Sequence, residues 1–240
     1  MRTIILNGDS TNLNTYFNNP IELEADKKYE AALVHLHTYN SIPNITSRNN
    51  IFKYSTDKGA TWKIIVLPKD AYEWRDIENE IHSQMIKNND YDVENEQFYI
   101  NIDSYRLSAI IEIRNENYMI DFGCENSIGT VLGFNDEIIG VGNHKSPNIV
   151  KITDINSILV NVDFISNSYL NKTACSTLYE FYPNVSPGYK INEEPNNLIY
   201  LPINRRIINS VRLWLTDQAG RPIDLQGEIL TVYLHIRETK

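Results

Sequence analysis

Cysteine is scarce in this 240-residue chain: only Cys124 and Cys175 are present. A framework of several disulfides is therefore excluded, and the pair leaves one bridge or two free thiols. Free thiols are the better expectation, because the opening MRTIILNGD has too short an apolar stretch for a secretory leader and reaches Asp9 at once. No apolar run reaches the length that crosses a bilayer, so no membrane span is expected. Basic residues are also few, 22 against 31 acidic, for a net charge of −9. Binding to a phosphate backbone needs a basic footprint. The one basic cluster, Arg205-Arg206 with Arg212 nearby, reads as a solvated turn. Direct nucleic-acid binding is not expected. Catalytic signatures are missing as well: there is no Gly-x-Ser-x-Gly elbow, no His-Glu-x-x-His helix and no Cys-x-x-Cys pair. Asn126–Phe134 holds two glycines, but not in the order that cradles a phosphate, and no lysine stands beside a serine or threonine there. The chain reads as no enzyme and implies no cofactor or metal.

What is present is enough apolar surface for a core, 42% of residues by composition. Isoleucine, which favours strands, and asparagine, which favours turns, dominate. The most regular stretch is Asn209–Arg237. In its first half Val211, Leu213 and Leu215 alternate with Arg212, Trp214 and Thr216. In its last strand Leu230, Val232, Leu234 and Ile236 oppose Thr231, Tyr233, His235 and Arg237. Period-2 alternation is the mark of half-buried antiparallel strands. The polar connection Asp217–Glu228 is too long for a tight hairpin and predicts a surface loop.

Upstream, strands are expected at 2–7, 20–24, 29–38, 51–55, 62–67, 97–103, 107–114, 118–122, 148–153, 157–165, 177–182 and 196–202. Polar connections are expected at 11–19, 136–146 and 169–172. In 29–38 strict alternation sets Ala32, Val34 and Leu36 on one face and Ala31, Leu33, His35 and His37 on the other. Tyr72, Ile77, Ile81 and Met85 recur at helical spacing and predict one substantial helix at about 73–87. A short helical turn closed by Gly133 follows. About a dozen short strands at this spacing give an all-β chain, a β-sandwich or jelly roll with long loops.

Some residue types invite chemistry. His35 and His37 stand side by side on a strand, but zinc wants a third and fourth ligand that the neighbourhood does not supply. Glu78, Glu80 and His82 lie on the expected helix, where a solvated face is the simpler account. Asp217 and Glu228 bracket the C-terminal loop in the manner of paired glycosidase carboxylates. Against 31 acidic residues, two near one loop carry little weight.

Several motifs occur in a characteristic order: Tyr39-Asn-Ser-Ile-Pro-Asn44, Asn126-Ser-Ile-Gly with Leu-Gly-Phe134, Tyr179-Glu-Phe-Tyr-Pro-Asn-Val-Ser-Pro-Gly-Tyr-Lys190 and Ile199-Tyr-Leu-Pro202. They end in Asp217-Gln-Ala-Gly-Arg-Pro-Ile-Asp-Leu-Gln-Gly-Glu228 and Leu234-His-Ile-Arg237. The series resembles the minor capsid (penton) proteins of Maverick/Polinton elements and adintoviruses, from about Asn7 to Arg237. The resemblance implies one jelly-roll domain over 1–240, with two four-stranded sheets and with the strands and helix to about 90 elaborating the barrel.

It also implies a homopentamer at the fivefold vertices of an icosahedral particle in the virion, assembled inside the host cell beside a major capsid protein with a double jelly roll. Asn171-Lys-Thr-Ala-Cys175 departs from the family's Asn-Gly-His pattern, so that loop is given no shared role. The loop residues expected to shape assembly surfaces are Tyr39, Asn40, Pro43, Pro187, Gly188, Tyr189, Asp217, Gln218, Gly227 and Glu228, with Trp214 as an interface aromatic. Turn chemistry alone explains many of them. Two other readings compete: a host-retained β-sandwich that binds a carbohydrate or receptor through Tyr169, Tyr182 and Tyr189, and a hydrolase using Asp217 or Glu228.

Overall fold

The computed structural model describes residues 2–92, 94, 97–103, 105–151, 155–166, 168–170 and 172–239. Three strands open the chain: β1 (Arg2–Gly8), β2 (Asn12–Glu22) and β3 (Tyr29–Tyr39). Next come β4 (Ile51–Ser55), β5 (Lys63–Val66), the helix α1 (Trp74–Lys87), β6 (Phe98–Asp103), β7 (Ser108–Ile113), β8 (Met119–Asp121), the short α2 (Gly129–Leu132), β9 (Ile138–Ile139) and β10 (Gly142–Lys145). The chain closes with β11 (Ile158–Val162), β12 (Ser168–Leu170), β13 (Thr173–Cys175), β14 (Thr177–Phe181), β15 (Lys190–Glu193), β16 (Leu201–Pro202), β17 (Ile207–Asp217) and β18 (Leu230–Glu238).

These elements fall into two compact units: Met1–Ile42 with Ile155–Lys240, and Pro43–Asp154. The first is a jelly-roll sandwich. One sheet runs β1-β18-β3-β15, with β16 also on β3; the other runs β14-β11-β17-β2. All the pairs are antiparallel. The alternating residues Val211, Leu213, Leu215, Leu230, Val232, Leu234 and Ile236 all turn into the one core between the sheets, as their period-2 spacing requires. Burying each such side chain contributes about 1.5–3 kcal/mol. The second unit has its own core and its own sheets, β5-β4-β8-β9 and β10-β7-β6. Helix α1 contributes Ile77, Ile81 and Met85 to that core. It starts where expected because Glu73 and Asp76 form a reciprocal capping box.

Some expectations fail for identifiable reasons. The stretch 11–24 is not a loop followed by a short strand. It is the single edge strand β2, whose polar residues face solvent and whose Pro20 is tolerated because an edge strand need not donate on both sides. In β3 the pairing jumps from His35–Tyr233 to Leu33–Leu234, which leaves Val34 as a bulge. The face changes there. Leu33 and Leu36 are both buried, and Val34 is exposed rather than sharing a face with Leu36. The segment 136–146 contains β9 and β10, and 173–175 forms β13 of a small hairpin. These strands, of two to four residues, are too short to alternate visibly. Residues 148–151 are irregular rather than strand, and the rest of that expected strand, 152–153, lies outside the described residues. In 196–202 only Leu201 and Pro202 pair, while β15 forms at 190–193, where no strand is expected.

Candidate functional site

The sandwich gathers most of the loop residues singled out above at one of its ends. Where β3 finishes, Tyr39 stands opposite Lys190 of β15. Asn40, 8% exposed, then staples the two strands' continuations together. Its backbone N–H donates to Tyr189 O, its carbonyl accepts from Gly188 N–H and its Nδ2 donates to Val185 O, each at 2.8 Å. Gly188 takes φ +79° to make this return, and open space surrounds it. Ser41 Oγ donates to Leu225 O at 2.6 Å, and Gln226 Nε2 donates back to Ser41 O at 2.7 Å. The 224–228 loop, with Gly227 at φ +83° and Glu228 half-buried, is thus drawn to the same place. Tyr39 (48% exposed) and Tyr189 (65%) stand free on this surface, with Pro187 half-buried between them in sequence. Pro43 falls in the other compact unit.

Asp217 and Gln218 serve the chain itself. Asp217 Oδ1 accepts from the N–H groups of Ala219 and Arg221, and Oδ2 accepts from Arg221 Nε at 2.6 Å. Burial alone would raise this carboxyl's pKa; the Arg221 and Ala219 hydrogen bonds outweigh it and hold it below the usual 3.8. A carboxylate so fully engaged is a loop cap, which removes the chemical basis for a hydrolase built on it. Gln218 Oε1 accepts from the N–H groups of Asn156 and Ser157. Trp214 projects from the face opposite Leu213 and Leu215, away from the second sheet, with the Arg212 guanidinium 5.1 Å over its ring.

The three tyrosines of the sugar-binding reading do not form one patch. Tyr169 (71% exposed) walls a shallow groove of about 320 Å³ with Leu159, Cys175, Thr177, Glu180 and Ile199. Tyr182 lies beyond the far end of β14 from Thr177, roughly 16 Å away at about 3.3 Å per residue. Glu78, Glu80 and His82 also diverge: Glu78 accepts from Ile100 N–H, Glu80 meets Gln84, and His82 stacks on Tyr91 at 4.2 Å. No metal-binding cluster of His, Cys, Asp and Glu occurs among the described residues. Cys124 and Cys175 are free, half-buried thiols. Arg205 is tied to Asp163 at 2.8 Å, and Arg212 Nε donates to Asn12. Among the described residues no helix is long and apolar enough to cross a membrane.

The outer face of the β1-β18-β3-β15 sheet holds a cluster that sequence reading left in separate pieces. His35 and His37 lie 4.9 Å apart between ring centroids, and Tyr233 of β18 stacks on His35 at 5.7 Å. Two residues along β18 from Tyr233, His235 Nδ1 meets the Tyr200 hydroxyl at 2.7 Å, and the Arg237 guanidinium lies 3.4 Å over the Tyr200 ring. Both alternations, in β3 and in β18, were legible. Their shared face was not, because the Val34 bulge resets which side chains of β3 point outward.

No protein-family model matches the sequence, and no curated protein matches it. Among solved structures, the crystal structure of selenomethionine-labelled mavirus penton protein matches at a TM-score of 0.53 and 13% identity. The match covers 99% of this chain and 100% of that one. At that identity the likeness establishes the fold: this chain has a penton-like jelly-roll fold.

Proposed function

We propose that this protein is a structural capsid subunit, a penton that forms pentameric vertices of an icosahedral particle in the virion, in the manner of Maverick/Polinton elements and adintoviruses. The single observation that carries the reading is the end-to-end likeness to a penton protein, across both compact units rather than the sandwich alone. The loop end supports it, because Tyr39 and Tyr189 are held on a stapled scaffold, and rigid exposed aromatics are favoured at subunit contacts. The ring is a heterologous contact closed by fivefold rotation, so the surface that Tyr39 and Tyr189 share meets a different surface on the next copy. A double-jelly-roll major capsid protein is the neighbour outside the ring. The role is non-enzymatic and needs no cofactor.

The test is mass in solution by light scattering after size exclusion, over a range of concentrations and with the major capsid protein added. The expected result is a species near five times the 27.8 kDa chain, shifted toward smaller species by Tyr39→Ala with Tyr189→Ala. A single-chain mass under every condition would remove the reading. One observation favours a second function: the Tyr169 groove, open and of ligand size, suits a carbohydrate- or receptor-binding module. Glycan binding abolished by Tyr169→Ala, with no pentamer, would favour it.

A further inference from the structure

Strand β15 is an edge strand of four residues that pairs, among the described residues, with β3 alone, and its N-terminal end leads directly into the Tyr189, Gly188 and Pro187 loop. What holds its outer face is imidazole chemistry. His35 Nε2 donates to Asn192 Oδ1 at 2.7 Å, and His37 stands opposite Asn192 in the register. His37 Nδ1 is shielded from solvent and has no hydrogen-bond partner. A charged imidazole must donate from both nitrogens, so a proton on this ring leaves one N–H buried without an acceptor.

The charged and titratable groups around the pair are few. From β15 comes Lys190, which acts on His37 as a like charge; from β18 come the neutral Tyr233 and Thr231; from β3 itself comes the other imidazole. Among the described residues Glu194 is the opposing carboxylate, 3.6 Å from His35 Nε2, but it is two-thirds exposed, and such surface pairs stabilise little. A cationic His37 beside Lys190, with its Nδ1–H lacking an acceptor, is thus opposed while β15 is docked, and relieved once β15 leaves the sheet and the ring reaches water.

We propose that His37, beside the His35–Asn192 hydrogen bond, forms an acid-sensitive latch on the β3–β15 seam, so that proton uptake by His37 frees β15 and with it the Tyr39 and Tyr189 loop surface. The inference rests on the reading of that surface as an assembly contact. Burial, Lys190 and His35 together hold the His37 pKa below its ordinary 6.5. Above that value both folded and released states carry a neutral ring and the seam is at full strength. As pH falls through 6.5 toward the lower docked value, the released state binds the extra proton and gains population.

The test is amide hydrogen exchange on the full chain at about pH 7.5 and about pH 5, allowing for the intrinsic pH dependence of exchange. Protection at Asn40, Gly188 and Ile191–Asn192 is expected to fall about tenfold in acid, the scale on which proton linkage at a single imidazole acts. Amides of the β11–β17 pairing are expected to hold. His37→Gln is expected to keep the seam protected, and His37→Phe serves if the first variant does not fold. Unchanged protection in the wild-type chain, or the same loss in both neutral variants, would overturn the latch. Light scattering at the two pH values separates the latch from the assembly reading. A chain that is monomeric throughout while its seam opens keeps the latch and loses the ring. A pentamer at acid pH with a closed seam keeps the ring and loses the latch.

Discussion

Two glycines with the same backbone show how differently a single methyl group can act. Gly133 and Gly188 hold φ of +80° and +79°, a region that side chains disfavour. A Cβ on Gly188 meets nothing within 4 Å, so Gly188→Ala is expected to cost about 1–2 kcal/mol of local stability. A Cβ on Gly133 would sit 2.3 Å from Asn148 O, whose residue also donates its N–H back to Gly133 O. Gly133→Ala is therefore expected to cost about 3 kcal/mol or more, and urea unfolding of both variants would rank them. Asp217 gives a second contrast. Removing its carboxylate leaves two backbone N–H groups and Arg221 without their acceptor, so Asp217→Ala is expected to cost about 2 kcal/mol. Because its pKa is depressed in the fold, that stability is present above the ordinary 3.8 and is lost as pH falls below it. Acid titration of the variant should show a correspondingly weaker dependence in that window.

At the scale of elements, legibility followed side-chain periodicity and stopped where pairing decides. Strands β17 and β18 were readable because both bury one clean face, and α1 because Ile77, Ile81 and Met85 repeat at helical spacing. Strand β2 was not, since an edge strand exposed along most of its length shows little apolar repeat. Nor was the outward face of β3, because a bulge is a property of two paired strands and leaves no mark on one. The position of β18 between β1 and β3 also sets a mutational expectation. Leu234, fully buried, reaches the core from the middle of that sheet. Leu234→Ala is expected to lose about 3 kcal/mol, read as a lowered denaturation midpoint. Loss of the whole strand would leave β1 and β3 without their shared partner, and the far-ultraviolet signature of the sandwich should collapse.

For the molecule as a whole, the sequence announced the motifs of the loop end but not their convergence. Asn40 meets Val185, and Ser41 meets Leu225, across separations of 145 and 184 residues, and nothing local to either segment points to the other. The division into two units was equally hidden, because strands recur at similar spacing on both sides of Pro43 and Asp154. Among the described residues no sheet is shared between the units, and each encloses its own apolar cluster. Residues 43–154 produced alone are therefore expected to unfold cooperatively on heating, with their own calorimetric transition. A chain that stays unfolded in isolation would show that this core depends on the sandwich.

The pairing of β1 with β18 has a consequence for synthesis. Strand β1 finds its partner only after Leu230–Glu238 has emerged, whereas 43–154 is contiguous and has its described strands in hand long before. The nascent chain is thus completed in a fixed sequence, inner segment first and sandwich last. A prematurely released chain ending before Leu230 would lack the strand that closes the sandwich. In a cell making many copies at once, that order withholds a finished sandwich from a chain until β18 has been made.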